Sequence, residues 1–161
     1  MFLNKSVALV AVSFLVLTIS SCWKSAPASE KKTGLVLVNV LDKEHFDDCS
    51  IKGSVNIVFD KIEQDAPNMI DKDAEVVVFC SNYMCGASSA ARDQLINMGY
   101  KKVYAYEGGV AEWFQKGYPV DGQAKKGYLN VKMSPHADVQ DDKLVISAEE
   151  LKKKLEENKK I

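Results

Sequence analysis

Glu75-Val76-Val77-Val78-Phe79-Cys80 is a continuous apolar run that ends in a cysteine. Such a run suits a parallel strand buried on both faces. The loop Ser81-Asn82-Tyr83-Met84-Cys85-Gly86 follows it. Then Ala87, Ala90, Ala91, Leu95 and Met98 recur at helical spacing, and Gly99 supplies the helix stop. A thiol between strand, loop and helix is placed to react. Loop N–H groups and the helix start both favour negative charge there, so the sequence predicts a lowered pKa for Cys80 and a thiolate open to solvent.

Outward from this stretch the chain alternates strands with helices. Leu35-Val36-Leu37-Val38 is a second apolar run, and residues 42–48 read as a short helix. Residues 54–59 read as a strand, 61–70 as helical or irregular, and 103–106 as a fourth short strand. Gly108-Gly109 starts a helix through Phe114 that Gly117 and Pro119 end. The pattern predicts an α/β fold, a parallel sheet with helices on both faces. Ligands of such sheets bind beyond the carboxyl ends of the strands, where Cys80 stands.

The ends of the chain read differently. Lys5 precedes an apolar run over residues 7–19, and Leu17-Thr18-Ile19-Ser20-Ser21-Cys22 closes it. That run is short for a membrane span and is similar to a bacterial lipoprotein signal, with residues 1–21 removed and Cys22 acylated. Residues 22–33 are then a tether, 34–122 the domain and 123–161 a C-terminal extension. Lipid on Cys22 would anchor an exported domain to the membrane. Trp23, rather than an aspartate, follows Cys22. That resembles outer-membrane sorting, on the periplasmic face, if the host is Gram-negative. Export also permits disulfides. Without Cys22, three cysteines remain (Cys49, Cys80 and Cys85), so one stays free or pairs between chains.

Composition bounds the function. The 161 residues carry a net charge of −1, with 27% charged and 47% hydrophobic residues. No basic surplus exists to neutralise phosphates, which argues against nucleic acid as a partner. Cys80 and Cys85 lack the spacing and the second ligand pair of a structural zinc site, so no metal is expected. His45 and His136 are expected to face solvent, and Trp113 to pack in the core.

Four stretches, in order, resemble the rhodanese-like sulfurtransferase family over about residues 35–120. They are Ile51-Lys52-Gly53-Ser54-Val55-Asn56-Ile57, the Cys80 strand with its loop and helix, Met98-Gly99-Tyr100-Lys101-Lys102-Val103-Tyr104, and Glu107-Gly108-Gly109-Val110-Ala111-Glu112-Trp113 with Gly117-Tyr118-Pro119-Val120. The resemblance implies a rhodanese-like sheet. It also implies sulfur transfer without a cofactor: Cys80 as the catalytic nucleophile takes sulfane sulfur from thiosulfate, a persulfide or a polysulfide and passes it to an acceptor thiol. The backbone of Ser81, Asn82, Tyr83, Met84, Cys85 and Gly86 then forms the substrate-binding cradle.

The chain departs from the family in three respects. Its loop is about two residues longer than in single-domain members. It holds no Lys or Arg, Arg92 being the nearest, which weakens the case for thiosulfate. Asn39, Leu41 and Ser50 stand where the family often has charged residues or histidine. For Cys85 three readings stay open: it resolves an oxidised or persulfidated Cys80 as a disulfide, it forms a stable bridge, or it is a small buried hydrophobe. A non-catalytic binding or thiol-redox module using Cys80 and Cys85 is the alternative function. Cys49 is expected at the sheet end opposite Cys80, out of reach of the loop.

The family usually opens with a strand and helix reading like Ile-Ser-x-Glu-Glu-Leu. Here Ile146-Ser147-Ala148-Glu149-Glu150-Leu151 stands near the other end instead. Residues 144–158 are therefore expected to fill the vacant place, as in a circular permutation, with a free-floating remnant as the alternative. Ser147 and Glu150 read as a capping box.

Overall fold

The computed structural model describes residues 30–132, 134 and 142–161. The expected leader (residues 1–21), the lipidation site Cys22, most of the tether and His136 lie outside the described residues.

Four parallel strands form the sheet: β1 (Leu35–Asn39), β3 (Val55–Asn56), β4 (Glu75–Phe79) and β5 (Lys102–Tyr106), in the order β3-β1-β4-β5. Each apolar run divides its side chains between two layers, because successive residues of a strand face opposite ways. Val36, Val38, Val76, Val78 and Cys80 lie in one core. That core also holds Ile62 and Ala66 of α2 (Ile62–Met69) and Ala91 and Leu95 of α3 (Ala87–Asn97). Leu35, Leu37, Val77 and Phe79 lie in the other, with Val110 and Trp113 of α4 (Gly109–Gln115) and Leu151 and Leu155 of α5 (Ala148–Glu157). The expected α/β sheet covered on both faces is the observed one.

The C-terminal extension belongs to this core. Val145 bridges Ala105 in parallel, with Ala105 N–H donating to Leu144 O at 2.8 Å and Ile146 N–H to Ala105 O at 3.0 Å. Residues 144–146 thus continue the sheet beyond β5. Both halves of the capping box form at Ser147 and Glu150. Leu151 and Leu155, four residues apart, are fully buried, so the docked arrangement holds and the free-floating one does not.

Some local expectations change. Residues 54–59 pair only at Val55–Asn56 before a 3₁₀ turn over Phe59–Lys61. In the extension, Gly127–Asn130 form a 3₁₀ turn that buries Leu129. After the short α1 (Lys43–Asp48), β2 (Cys49–Ile51) pairs antiparallel with β6 (Val120–Gly122), a ribbon that no period-two pattern announced because both strands have only three residues.

Candidate functional site

Cys80 follows β4 directly, at the carboxyl end of the sheet. Its peptide group and the next are held by the start of α4: Val110 N–H donates to Cys80 O at 3.0 Å and Ala111 N–H to Ser81 O at 2.9 Å. Only glycine fits at position 109. Its φ is +60°, and a Cβ there would lie 2.6 Å from Cys80 O and from Ser81 C, and 2.7 Å from Asn82 N. This contact explains the glycine at position 109 in physical terms. It also sets the direction of an amide. In a trans peptide, C=O and the next N–H point opposite ways, so a Cys80 carbonyl turned toward α4 sends the Ser81 N–H away from it, into the loop.

The sulfur of Cys80 is enclosed, with no exposed surface. It donates to Cys85 O at 2.9 Å and lies 3.3 Å from Ser88 Oγ and 3.9 Å from Asn82 O. A thiolate at Cys80 would face the lone pairs of a carbonyl oxygen, so this sulfur keeps its proton. Its interaction with the Cys85 side chain and its burial push its pKa up, opposed only in part by Ser88. The sequence-based expectation of an exposed, ionised Cys80 is therefore corrected. The strand end carries the thiol inward, into the layer beneath α3.

Cys85 shows the opposite balance. It is partly exposed, and both cysteines are free thiols. The Cys80 side chain lies beside it, as do the Ala87 N–H, the Ser81 N–H and the Ser81 hydroxyl. Together they hold its pKa below the usual thiol value against the cost of partial burial. Ala87 opens the eleven-residue α3, so its amide sits at the positive end of the helix dipole.

The rest of the predicted cradle divides. Met84 N–H donates to Asn82 Oδ1 at 3.0 Å and Cys85 N–H to Asn82 O at 2.9 Å. These two amides hold the loop's own turn instead of facing a substrate. The Tyr83 hydroxyl reaches α4 and donates to Glu112 Oε2 at 2.9 Å, which also accepts from the Tyr106 hydroxyl at 2.8 Å. Met84 is 68% exposed at the loop tip. A narrow cleft of about 20 Å³ lies between Asn82 and Tyr83 on one side and Glu112, Gln115 and Val131 on the other; neither loop cysteine lines it.

Sequence reasoning missed Ser88 and Ala87, which complete the polar surroundings of the two sulfurs from the first turn of α3. Their signal was the helix start itself, whose first N–H groups lack partners within the helix. The departures at Asn39 and Ser50 prove to be partners. Asn39 Nδ2 donates to Ser50 Oγ at 2.9 Å, and both residues are buried. Arg92, the nearest cation to the loop in sequence, binds Asp93 at 2.9 Å and Asp142 at 2.7 Å, tying α3 to the C-terminal segment. Cys49 opens β2 in the α4–α5 core, and burial pushes its thiol up to about 11. His45 is half-buried, bonded to Asp42 and beside the Tyr128 ring. Trp113 is buried as expected.

A family model described as the rhodanese-like domain matches residues 24–116. Among curated proteins, a thiosulfate sulfurtransferase GlpE of Coxiella burnetii is 28% identical over 83 residues, 52% of this chain and 75% of that protein. Among solved structures, the BH2092 protein of Bacillus halodurans aligns with a TM-score of 0.53 at 20% identity, over 66% of this chain and 75% of its own. A rhodanese-like domain of the Alr3790 protein of Anabaena aligns with a TM-score of 0.51 at 22% identity, over 55% of this chain and 99% of its own. These two share the fold.

The clamp on the loop predicts a specific mutational cost. Gly109→Ala forces a side chain into main-chain atoms at positive φ, and is expected to lower stability by at least about 2 kcal/mol. Gly127→Ala, where an added Cβ meets nothing within 4 Å, is the control and is expected to change it by less than about 1 kcal/mol. Urea denaturation of both variants measures this, and equal midpoints would contradict the clamp.

Proposed function

The chain belongs to the rhodanese-like domain family, and from that membership and the chemistry of its loop we propose that it is a sulfurtransferase. It moves sulfane sulfur from a donor, through a cysteine persulfide in the loop 80–86, to an acceptor thiol. Cys80 is the family's sulfur-carrying position. The observation that carries the reading is the pair of free thiols at the carboxyl end of β4, one of them partly exposed and held below the usual thiol value by the Cys80 side chain and nearby amides. A thiolate stabilised in that way is the nucleophile this chemistry requires.

The donor class follows from charge. The loop carries no Lys or Arg, and Arg92 is engaged by Asp93 and Asp142. A thiosulfate dianion would rest on backbone donors alone. A hydropersulfide or an organic polysulfide brings less charge on its reacting sulfurs and is the better donor. A second reading, a thiol-redox module, draws support from the enclosure of Cys80 and its contact with Cys85. An oxidant of the thiols would then close the pair into a disulfide.

Incubating the reduced protein anaerobically with each donor separates the two. Sulfurtransferase chemistry gives a mass gain of about 32 Da, one sulfur atom, faster with a hydropersulfide than with thiosulfate and absent from Cys80→Ser/Cys85→Ser. No gain with either donor would leave the redox module.

We also propose that the chain is exported and held at a membrane by lipid on Cys22, the outer membrane if the host is Gram-negative. Residues 7–22 support this by their apolar run and terminal cysteine. In cell fractionation the protein is expected with membranes and Cys22→Ser in the soluble fraction; identical partitioning of the two would refute the anchor.

A further inference from the structure

We propose that Cys85, not Cys80, is the thiolate that first takes sulfane sulfur from a low-molecular-weight hydropersulfide or polysulfide, and that Cys80 receives the sulfur from Cys85. The inference rests on the sulfurtransferase reading and assigns the order of events within it.

Three observations carry it. The first is access. A nucleophile must meet the donor's outer sulfur in line with the S–S bond that breaks. Cys80 has no exposed surface, whereas Cys85 is partly exposed beside the open tip of the loop at Met84. The second is charge. Attack requires an anionic sulfur, and Cys85 stands two residues before the start of α3, where the Cys80 side chain and the nearby Ala87 and Ser81 amides hold its thiol below the usual value. The Val110 and Ala111 amides fix the peptide groups on either side of the Ser81 Cα, and with them the direction of its N–H. At Cys80 the nearest polar atom is the Cys85 carbonyl oxygen at 2.9 Å, which favours a proton on sulfur. The third is proximity. Cys80 Sγ lies 2.9 Å from the Cys85 carbonyl oxygen and the two side chains interact, so sulfur captured at Cys85 lies near the Cys80 thiol.

The steps balance. In the first, Cys85–S⁻ attacks the outer sulfur of R–S–SH. The donor S–S bond breaks, its electron pair leaves on R–S⁻, and Cys85–S–SH forms. In the second, the Cys80 sulfur attacks the outer sulfur of that persulfide. The S–S bond at Cys85 breaks, the proton of Cys80 passes to the departing Cys85 sulfur, and Cys80–S–SH and Cys85–SH result. No external oxidant or reductant enters, because a sulfur already at the sulfane level moves between thiols. The acceptor thiol then discharges Cys80 when the loop exposes it. The longer loop acquires a purpose in this scheme: its extra length places a second sulfur outside the enclosed one.

Rapid-quench mass spectrometry of the reduced full-length protein tests the order. Glutathione hydropersulfide is the probe, and peptide fragmentation between residues 80 and 85 locates the added sulfur. In the unaltered protein the mass gain of about 32 Da is expected on Cys85 at the earliest times and on Cys80 later. Cys80→Ser is expected to load Cys85 still. Cys85→Ser is expected to load Cys80 at least about ten-fold more slowly, although the position is intact. Sulfur appearing first on Cys80 in the unaltered protein, or Cys85→Ser loading at the unaltered rate, would overturn the order while leaving sulfur transfer in place. No sulfur on either residue would overturn the functional reading itself. The time order in the unaltered protein needs no variant, so a misfolded substitution cannot decide the outcome.

Discussion

The site depends on one close approach of backbone to backbone. The start of α4 passes so near the end of β4 that a single Cβ at position 109 would collide with Cys80, Ser81 and Asn82 together. In return, two α4 amides that have no partner within their own helix find carbonyl partners in the loop. That exchange fixes the carbonyls outward and the Ser81 N–H inward. That orientation bears on the charge the loop can hold, because backbone dipoles are the main positive charge it has to offer.

The same loop then treats its two cysteines differently. Cys80 continues the alternation of β4 and is carried into the α2–α3 core with Val76 and Val78. Cys85 sits where the chain turns from loop to helix, and meets the donors that a helix start leaves unpaired. Burial raises the cost of charge on the first sulfur while directed N–H groups lower it on the second. The surrounding polar residues settle the frame of the site. Asn39 and Ser50 satisfy each other in the interior, and Glu112 ties Tyr83 of the loop to Tyr106 of β5. Arg92 fastens α3 to the segment that completes the sheet.

Much of this architecture was legible in the residues. The Val76-Val77-Val78-Phe79 run announced a strand buried on both faces, and the apolar spacing from Ala87 to Leu95 announced the helix behind it. The Ser147–Glu150 box and the Leu151–Leu155 pair announced a helix that had to find a core, and it packs with α4 against one face of the sheet while residues 144–146 pair beyond β5. The antiparallel ribbon of Cys49–Ile51 with Val120–Gly122 was not legible, because three residues carry no period and their partners lie far apart in sequence. The state of Cys80 was misread for a related reason. Its place after the strand is a sequence property, but its enclosure depends on a carbonyl five residues later turning back over it. Cys85 stood out in the sequence as a second thiol with several open roles. Only the directions of the Ser81 and Ala87 amides distinguish it as the better home for charge, and direction is a property of the fold.

The central claim is that loop amides hold negative charge on the Cys85 sulfur. Those amides report on it directly. In a ¹H–¹⁵N titration of the reduced protein from about pH 4 to about pH 9, the Ser81 and Ala87 resonances are predicted to move together. Their common midpoint should lie below the ordinary cysteine value of about 8.5. Resonances that stay fixed until the solution is more alkaline than that would contradict the account.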